Sequence, residues 1–354
     1  PKAHSESCCV AVSPDGRLLA TAGFDQTKDE YEVRLWDAST GDELFCIEGK
    51  EEVVLTTGLA FSPNGTLLAL ACHGRVRLWD VAKFLECLKE SGPIPPLFLE
   101  REFPNPAPLT SVAFAPSGEL LAFGDRRNGV TLCDLQTGQT TPLEGHDQPV
   151  FCVAFSPDGA TLASGDRGGT VVLWDVAAAS RHAVLSASTN PVRDLAFSGD
   201  GQRLASSSAW ITLWDVVTAR KLSDIRVHSG AVSSLAFCSD GQTLASGGSD
   251  GMVKLWEAAP EEEDAVLEGH NDRVLGVAFS SDGSTLASSS FDGKVKLWDT
   301  LSGAEHQHLD ATSGLPATSP AFSPDGRFLA CGAVGRVQLW NLAAGGAREV
   351  FVGR

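Results

Sequence analysis

Apolar and polar positions alternate along this chain in a recurring block, which residues 270–299 show most fully. Val274–Phe279 is apolar on both alternating sets of side chains, as expected of a strand that is covered on both faces. Ser281, Asp282 and Gly283 then supply a tight turn, because Asp can bond its own backbone and Gly accepts a positive φ. The block predicts an antiparallel meander of four strands, at 274–279, 285–289, 294–299 and 305–309.

The same block recurs eight times, and we number these units one to eight in chain order. Phe279, which ends the first strand of unit seven, belongs to the series Val12, Phe61, Phe114, Phe155, Phe197, Phe237, Phe279 and Phe322. The third strand ends with the series Trp36, Trp79, Cys133, Trp174, Trp214, Trp256, Trp298 and Trp340. Intervals in the first series run from 40 to 53 residues, which indicates insertions in the first two units.

These marks resemble those of the WD-repeat family of β-propellers: Gly-His at 269–270, Leu-Trp-Asp at 297–299 and a repeat of this length. The resemblance covers essentially the whole chain. It implies an all-β fold, an eight-bladed β-propeller of four-stranded antiparallel blades, with a seven-bladed ring as the alternative, in a single domain over residues 1–354. We also expect each blade to be built from contiguous chain, so that unit eight packs against unit one without strand exchange.

The chain starts with Pro1 rather than Met, and we interpret it as a fragment of a longer polypeptide. Its regular Ser-Pro-Asp-Gly turns are similar to those of bacterial WD-repeat arrays, which implies the sensor or scaffold region of a multidomain protein. Such a region would be non-catalytic and would bind protein or peptide partners, although this fold serves many purposes.

Units six and seven each contain Ser, His, Asp and Trp at matching positions, a combination that could be taken for a catalytic triad. The residues are His228, Ser246, Asp250 and Trp256 in unit six, and His270, Ser288, Asp292 and Trp298 in unit seven. In the WD-repeat family these four positions form a buried hydrogen-bond network, so the resemblance implies that the hydroxyl is already used and cannot attack a substrate. No motif for an oxyanion hole accompanies them.

Three units depart from this pattern. The departures are Cys133 for Trp in unit three, Gly168 for Asp in unit four and Ser188 for His in unit five. We therefore expect incomplete networks in units three to five. Removing His146 should then destabilise the fold less than removing His270.

The balance of 27 basic against 45 acidic residues gives a formal net charge of −18, which disfavours binding to nucleic acid or to a membrane. The chain has neither an apolar run of 18 residues nor a signal-peptide pattern, so we expect it neither to span a membrane nor to be exported. Nine cysteines at irregular places are typical of small buried side chains in a reducing compartment. We therefore expect a cytoplasmic location.

The competing interpretation is a propeller enzyme whose active site lies at the mouth of the central channel. The first strands begin with Cys8, Thr57, Thr110, Phe151, Arg193, Ser233, Leu275 and Thr318, which do not form a set of acidic, His or metal-binding residues. His306 and His308 share one face of a predicted strand and could bind a metal, but no further ligand lies near them in sequence. No nucleotide loop or nucleophile elbow occurs, so we expect no cofactor.

One group of basic and aromatic residues falls on the face that the family usually uses for contacts. We call it the binding arc, and it comprises Arg126, Arg127, Phe151, Arg167, Arg193 and Trp210. In a chain of net charge −18 this group predicts a site for an acidic or aromatic segment. The alternative is that the arginines pair with acidic neighbours and serve solubility.

Two further segments could contact a partner. Residues 26–32 lengthen a turn in unit one and contain Tyr31, so we expect this loop to project from the ring. Residues 82–90 predict a short amphipathic helix around Phe84, which could dock a partner or pack on its own blade.

Overall fold

The computed structural model describes residues 6–25, 30–40, 42–49, 58–89, 98–186, 188–226, 228–257, 265–311, 316–333, 336–344 and 347–351. Within these ranges the structure consists of β-strands, one α-helix, α1 at Val81–Lys89, and one 3-10 helix at Leu342–Ala344. Units one to three contain β1 (Glu6–Val12), β2 (Leu18–Asp25), β3 (Glu30–Asp37), β4 (Glu43–Gly49), β5 (Gly58–Phe61), β6 (Leu67–Asp80), β7 (Phe98–Phe114), β8 (Leu120–Asp125), β9 (Val130–Asp134) and β10 (Thr140–Leu143).

The remaining units follow the same plan. Units four and five contain β11 (Val150–Phe155), β12 (Thr161–Asp166), β13 (Thr170–Asp175), β14 (Ser180–Ser186), β15 (Asp194–Phe197), β16 (Arg203–Ser207), β17 (Ile211–Asp215) and β18 (Arg220–Ile225). Units six to eight contain β19 (Val232–Phe237), β20 (Thr243–Gly248), β21 (Val253–Glu257), β22 (Ala265–Leu267), β23 (Val274–Phe279), β24 (Thr285–Ser290), β25 (Lys294–Asp299), β26 (Glu305–Asp310), β27 (Ala317–Phe322), β28 (Phe328–Ala333), β29 (Arg336–Asn341) and β30 (Ala347–Phe351).

The strands pair as antiparallel meanders in chain order. Unit one and units four to eight each form a separate four-stranded sheet, whereas units two and three share a six-stranded sheet. The sheet is shared because β7 serves first as the outer strand of unit two and then as the inner strand of unit three, and β6 runs through the second and third positions of unit two. The predicted all-β propeller of four-stranded antiparallel blades is confirmed.

The inner strands form a ring. In the described residues β1, β5, β7, β11, β15, β19, β23 and β27 each contact the next inner strand, and β27 contacts β1. The sheets of units one and eight are each built from contiguous chain, so the ring closes by packing, as expected. The number of blades, eight with seven as the alternative, stays a prediction that this order of inner strands supports.

The core lies between neighbouring sheets rather than at one centre. Trp174 of unit four is 1% exposed and packs with Val130 and Leu132 of unit three. Trp214 of unit five packs in the same way with Leu173 of unit four. Because each sheet is covered on both faces, the middle strands are buried on both sets of side chains.

The turns that follow the inner strands form one end of the ring, which we call the lower face. In unit four Ser156 Oγ–H donates to Asp158 Oδ1 over 2.5 Å, and the N–H of Thr161 donates to Ser156 Oγ over 2.9 Å. Gly159 completes the turn at φ +72°, where a Cβ would lie 3.4 Å from Pro116 of unit three. The same glycine-on-proline contact joins Gly16 to Pro324, Gly65 to Pro14, Gly118 to Pro63 and Gly201 to Pro157.

Helix α1 covers the junction of units one and two. Its Phe84 is fully buried, and the ring centroid lies 5.4 Å from that of Phe45 in unit one. The predicted helix therefore packs on the ring, which is one of the two alternatives that the sequence offered. Of the loop predicted to project at 26–32, positions 26–29 and the Tyr31 side chain lie outside the described residues. The prediction was wrong for Glu32, which is buried in β3, where its Oε2 lies 2.8 Å from Arg34 Nη2.

Candidate functional site

We call the end of the ring opposite the lower face the upper face; it carries the turns between second and third strands and the loops that enter the inner strands. In unit seven a hydrogen-bond network runs inward from it. Trp298 Nε1–H donates to Ser288 Oγ over 2.8 Å, and Ser288 Oγ–H donates to His270 Nε2 over 2.8 Å. His270 Nδ1–H donates to Asp292 Oδ2 over 3.0 Å, so each polar group of the network has a partner.

Unit six repeats this network atom for atom. Trp256 Nε1–H donates to Ser246 Oγ over 2.9 Å, Ser246 Oγ–H donates to His228 Nε2 over 2.8 Å, and His228 Nδ1–H donates to Asp250 Oδ1 over 2.9 Å. The predicted groups of four residues are therefore brought together in both units.

The electrostatics of these networks favour a structural role. Burial lowers the pKa of both His228 and His270, against the opposing pull of the neighbouring carboxylates, so both imidazoles are neutral at neutral pH. Ser246 and Ser288 are fully buried, and each hydroxyl both accepts and donates a hydrogen bond. A hydroxyl in this condition has neither a free base nor access to a substrate.

Unit four also has a complete network, so the prediction based on Gly168 was wrong. His146 Nδ1–H donates to Asp166 Oδ2 over 2.8 Å, and Nε2 accepts from Ser164 over 2.7 Å. Trp174 Nε1–H donates to the same hydroxyl over 2.8 Å. Asp166 ends β12 two positions before Gly168, and its Oδ1 accepts the N–H of Gly168 over 2.8 Å, so one carboxylate closes the turn and orients the imidazole.

Unit three replaces the network by apolar packing. Asn105 stands at the His position and donates through Nδ2 to Asp125 Oδ2 over 3.1 Å. Phe123 and Cys133, which are 2% and 0% exposed, stand where other units have Ser and Trp. Burial raises the pKa of Cys133 to about 12, so the thiol stays protonated. The large ring has thus moved from the third strand to the second, and the space between the sheets stays filled.

Unit five has an incomplete network, as expected. Trp214 Nε1–H donates to Ser206 Oγ over 2.9 Å, but the Ser206 hydroxyl then turns to the carbonyl oxygen of Thr212 over 3.4 Å. Ser188, at the His position, donates instead to the carbonyl oxygen of Asn190 over 3.1 Å. The Trp214 indole therefore has a hydrogen-bond acceptor, but no imidazole links that hydroxyl to the upper face.

Two arginines of the binding arc, Arg126 and Arg167, lie at equivalent places on neighbouring units. The N–H groups of Arg126 and Arg167 donate to the carbonyls of Pro108 and Pro149, which fixes both residues at the same position of the upper-face turn. Arg127 follows Arg126. Arg193 directly precedes the inner strand β15, and Phe151 lies at the equivalent position of unit four, within β11. The four arginines are exposed, and among the described residues their side chains form no hydrogen bond or ion pair.

Trp210 lies in the turn between β16 and β17 and is half-buried. The guanidinium of Arg226 stacks 4.5 Å from its ring centroid, and its Nε1 is buried without a hydrogen-bond partner in the described part of the chain. Sequence reasoning missed Arg226, because it follows the outer strand, 16 residues from Trp210, and no local pattern links the two.

Sequence reasoning also missed an aromatic residue on the upper face of unit seven. Phe291 occupies the turn position that Arg167 has in unit four, since its N–H donates to the carbonyl of Arg273. It is 43% exposed, and the Arg273 guanidinium lies 5.3 Å from its ring centroid. Its place directly before Asp292 and Gly293 was the signal that could have identified it.

At the inner-strand position that follows Arg193, side chains tie units three, five and six to the next unit. Ser111 Oγ accepts the N–H of Val153 over 3.3 Å, and Ser234 Oγ accepts that of Val277 over 3.4 Å. In unit five this position is Asp194, whose Oδ2 accepts the N–H of Leu235 over 2.8 Å. Burial raises the pKa of Asp194 to about 6, in spite of these N–H donors.

The remaining candidates show no site geometry. His308 Nδ1 lies 3.4 Å from Glu305 Oε1, and Glu305 also pairs with Lys296. Across the described ranges no three His, Cys, Asp or Glu side chains are grouped as metal ligands. In the same ranges no helix is both long enough and apolar enough to cross a membrane.

The repeats match the model of a known family, described as WD domain, G-beta repeat. The matched residues are 1–27, 41–80, 137–175, 180–215, 219–257 and 262–299, more than half of the chain. The chain belongs to the WD40 repeat family. The family model does not match the stretch of this WD40 chain between residues 80 and 137. That stretch contains Asn105, Phe123 and Cys133, which replace the network in unit three.

This WD40 chain is similar to several longer proteins. It is 29% identical over 136 residues to the periodic tryptophan protein 2 homolog of Schizosaccharomyces pombe, a match that covers 38% of this chain and 14% of that protein. Periodic tryptophan protein 2 of Arabidopsis thaliana is 27% identical over 203 residues, or 56% of this chain and 21% of that protein. WD repeat-containing protein VIP3 of Arabidopsis thaliana is 30% identical over 151 residues, or 40% and 43%. The chain thus spans less than half the length of these relatives.

A solved structure supports the fold. The crystal structure of the computationally designed Ika8 protein matches with a TM-score of 0.78 at 24% sequence identity, over 96% of this chain and 99% of that chain. At this identity the likeness concerns the fold alone.

Proposed function

We propose that this WD40 chain is a non-catalytic platform whose binding arc holds an acidic or aromatic segment of a protein partner. The observation that carries the proposal is the set of exposed arginines at 126, 127, 167 and 193, whose side chains are unpaired within the described residues. A chain of net charge −18 has many carboxylates that could pair with these arginines, yet none of the described ones does. Unpaired guanidinium groups offer two parallel N–H donors to a carboxylate of another chain.

Three arginines of units one and two make the contrast. Arg34 pairs with Glu32 over 2.8 Å, and Arg75 and Arg77 pair with Glu102 over 2.8 and 3.2 Å. The solubility alternative requires such pairs on the upper face, and the described residues do not supply them for the arc. The unpaired cations therefore favour a partner over solubility.

Aromatic side chains complete the surface. Trp210 under Arg226 and Phe291 under Arg273 each present a ring with a stacked guanidinium. Aromatic residues and arginines are the residue types that contribute most binding energy at protein interfaces. The upper face of units three to seven therefore has the composition of a contact surface.

The non-catalytic part of the proposal rests on the three complete networks, whose serines are consumed by hydrogen bonds. The names of relatives fit a platform, since one that is 28% identical over 148 residues, 41% of this chain, is called transcriptional corepressor LEUNIG_HOMOLOG. We further infer that the chain is the WD-repeat region of a larger, bacterial-type multidomain protein. We also place it in the cytoplasm, because the described cysteines are free thiols.

The test is a charge reversal of the arc in the full chain. We expect a fluorescent peptide of alternating Glu and Trp to bind the wild type, and the double variant Arg167→Glu, Arg193→Glu to bind it at least about tenfold more weakly by fluorescence anisotropy. The melting temperature should not fall, because both side chains are exposed.

The matched control places the same charge change on the lower face. Arg17 and Arg327 have side chains that are 85% and 63% exposed, and the double variant Arg17→Glu, Arg327→Glu should bind as the wild type does. Equal losses in both double variants would show that only net charge matters, and unchanged binding by the arc variant would refute the proposal.

A further inference from the structure

A cavity of about 310 Å³ opens on the upper face between units five and six. Its lining comprises Asn190, Pro191 and Arg193 before β15, Ser208 and Ala209 in the turn beside Trp210, and residues 228–231 before β19. Its volume is at the lower end of the range for ligand sites, so it suits one side chain or a small group rather than a large molecule.

The charges of the cavity have one sign. Among the described residues that line it none is Asp or Glu, and burial keeps His228 neutral by lowering its pKa. Arg193 is therefore the charged group of the lining. The side chains of Arg193, Asn190 and Ser229 are all exposed and have no hydrogen-bond partner among the described residues.

Two carboxylates adjacent to the cavity lining, Asp194 and Asp250, do not pair with Arg193. Asp194 follows it in sequence, but its Oδ2 accepts the N–H of Leu235 over 2.8 Å. Asp250 lies behind His228 and accepts from its Nδ1 over 2.9 Å and from the N–H of Ser229 over 2.9 Å. Both carboxylates are already bound by donors, so the guanidinium remains available to an anion from outside.

We propose that this cavity is the anion subsite of the binding arc and receives a carboxylate or phosphate group from a side chain of the partner. Arg193 forms the ion pair, and the amide of Asn190 and the hydroxyl of Ser229 donate the additional hydrogen bonds. The inference rests on the proposed function and makes it more specific. The subsite fixes the position of the acidic segment along the arc, so that neighbouring aromatic side chains of the segment meet Trp210.

The test uses three capped peptides, acetyl-Gly-Ser-X-Ser-Gly-amide, in which X is Glu, phosphoserine or Gln. Each is titrated into the full chain while the indole N–H signal of Trp210 and the Nε–H signal of Arg193 are followed by NMR. We expect saturable shifts with Glu or phosphoserine and at least about tenfold weaker binding with Gln. The tighter of the two anionic peptides identifies the source of the anion. Equal affinity of the Gln and Glu peptides would overturn the proposal.

The matched variants are Arg193→Gln and Arg220→Gln, which remove the same charge from the cavity and from the exposed outer strand β18 of the same unit. Arg193→Gln should abolish the preference for Glu over Gln, with an unchanged melting temperature, whereas Arg220→Gln should preserve it. A preference that survives Arg193→Gln, or one that Arg220→Gln also abolishes, would refute the subsite.

Arg167→Glu separates this inference from the proposed function, since Arg167 does not line the cavity. If Arg167→Glu weakens the Glu-Trp peptide but wild type binds the Glu and Gln probes alike, the arc stands and the subsite fails. If the Glu preference depends on Arg193 while Arg167→Glu has no effect on the Glu-Trp peptide, the subsite stands and the wider arc fails.

Discussion

Unit seven and unit three fill the same space between sheets with opposite chemistry. Unit seven buries an indole, a hydroxyl and an imidazole that satisfy one another, whereas unit three buries Phe123 against Cys133 and keeps only the polar pair of Asn105 and Asp125. A half-satisfied buried network is worse than an apolar core. The comparison teaches that a unit can keep Ser, His and Trp together or exchange all three, and unit five, which keeps Ser206 and Trp214 without a His, lies between the two.

The largest expected effect on stability comes from replacing the residue at the end of the third strand, which is Trp298 in unit seven and Cys133 in unit three. Trp298→Ala should lower the free energy of unfolding by about 3 to 5 kcal/mol, because it removes a buried indole and leaves Ser288 without its donor. Cys133→Ala at the equivalent position should lower it by about 1 kcal/mol, in line with the small apolar volume that is lost. Urea denaturation compares the two, and similar losses would contradict the contrast.

The next effect concerns the imidazoles. His270→Ala and His146→Ala should each lower the free energy of unfolding by about 1 to 3 kcal/mol, and by equal amounts, because both leave a buried hydroxyl and a carboxylate short of a partner. This replaces the expectation from sequence that His146 matters less. Asn105→Ala in unit three should cost less than about 1 kcal/mol. A markedly smaller loss for His146 in thermal melts would show that Asp166 does not complete its network.

A third experiment exchanges the chemistry of unit three. Cys133→Trp alone should destabilise the chain by about 1 to 3 kcal/mol, because Phe123 already fills the space that the indole needs. Phe123→Ser in the same chain should recover part of that loss, since it vacates the space and offers the hydroxyl. A double-mutant cycle measures this coupling, and strict additivity of the two changes would show that the residues do not share one space.

The smallest effect depends on pH and compares unit five with unit six. Burial raises the pKa of Asp194 to about 6 in the folded chain, above the ordinary value of 3.8. The folded state therefore holds this proton more tightly, so its contribution to stability is fully present near pH 4 and is lost as the pH rises through about 6. Asp194→Asn keeps an acceptor for the N–H of Leu235 without ionising.

We expect Asp194→Asn to be more stable than the wild type at pH 7.5, with a difference that shrinks below about pH 6 and disappears near pH 4. Ser234→Ala, at the equivalent position of unit six, removes an acceptor that does not titrate. Its effect on stability should therefore be the same at pH 4 and at pH 7.5. Melting temperatures measured between pH 4 and 8 decide this, and a constant difference for Asp194→Asn would refute the assignment.

Repetition made the fold and the networks of units six and seven predictable, because eight copies in phase fix the strands, and the family pattern then assigns His270, Ser288, Asp292 and Trp298. Sequence reasoning did not identify the Asp of unit four. Asp166, at the end of β12, reaches His146 although it lies two positions before the place in the turn where the Asp was expected. His146 and Asp166 are 20 residues apart, whereas the pairs in units six and seven are 22 apart. The shared Gly-Asp-Arg sequence at 124–126 and 165–167 was the signal that sequence reasoning did not use.

Contacts between distant residues were beyond the sequence. Asp194 and Leu235 are 41 residues apart and meet only because neighbouring inner strands run side by side. Trp210 and Arg226 meet across the third and outer strands of one unit. In both cases the repeat predicts the strand but not which neighbour a particular side chain touches, because that depends on how the strands pack within and between units.

The glycine-on-proline contact of the lower face has a consequence for how such a chain can change over time. Gly16 of unit one rests on Pro324 of unit eight with the same chemistry that places Gly65 on Pro14. The closing junction is therefore interchangeable with an internal one. Gly241, Gly283 and Gly326 at the equivalent turns of units six to eight meet no proline. Duplication or loss of a unit would therefore keep this contact wherever units one to four or unit eight supply the proline, and the ring would need only to open or tighten its curvature. Length can thus evolve in steps of one blade, while single residues at these turns stay constrained.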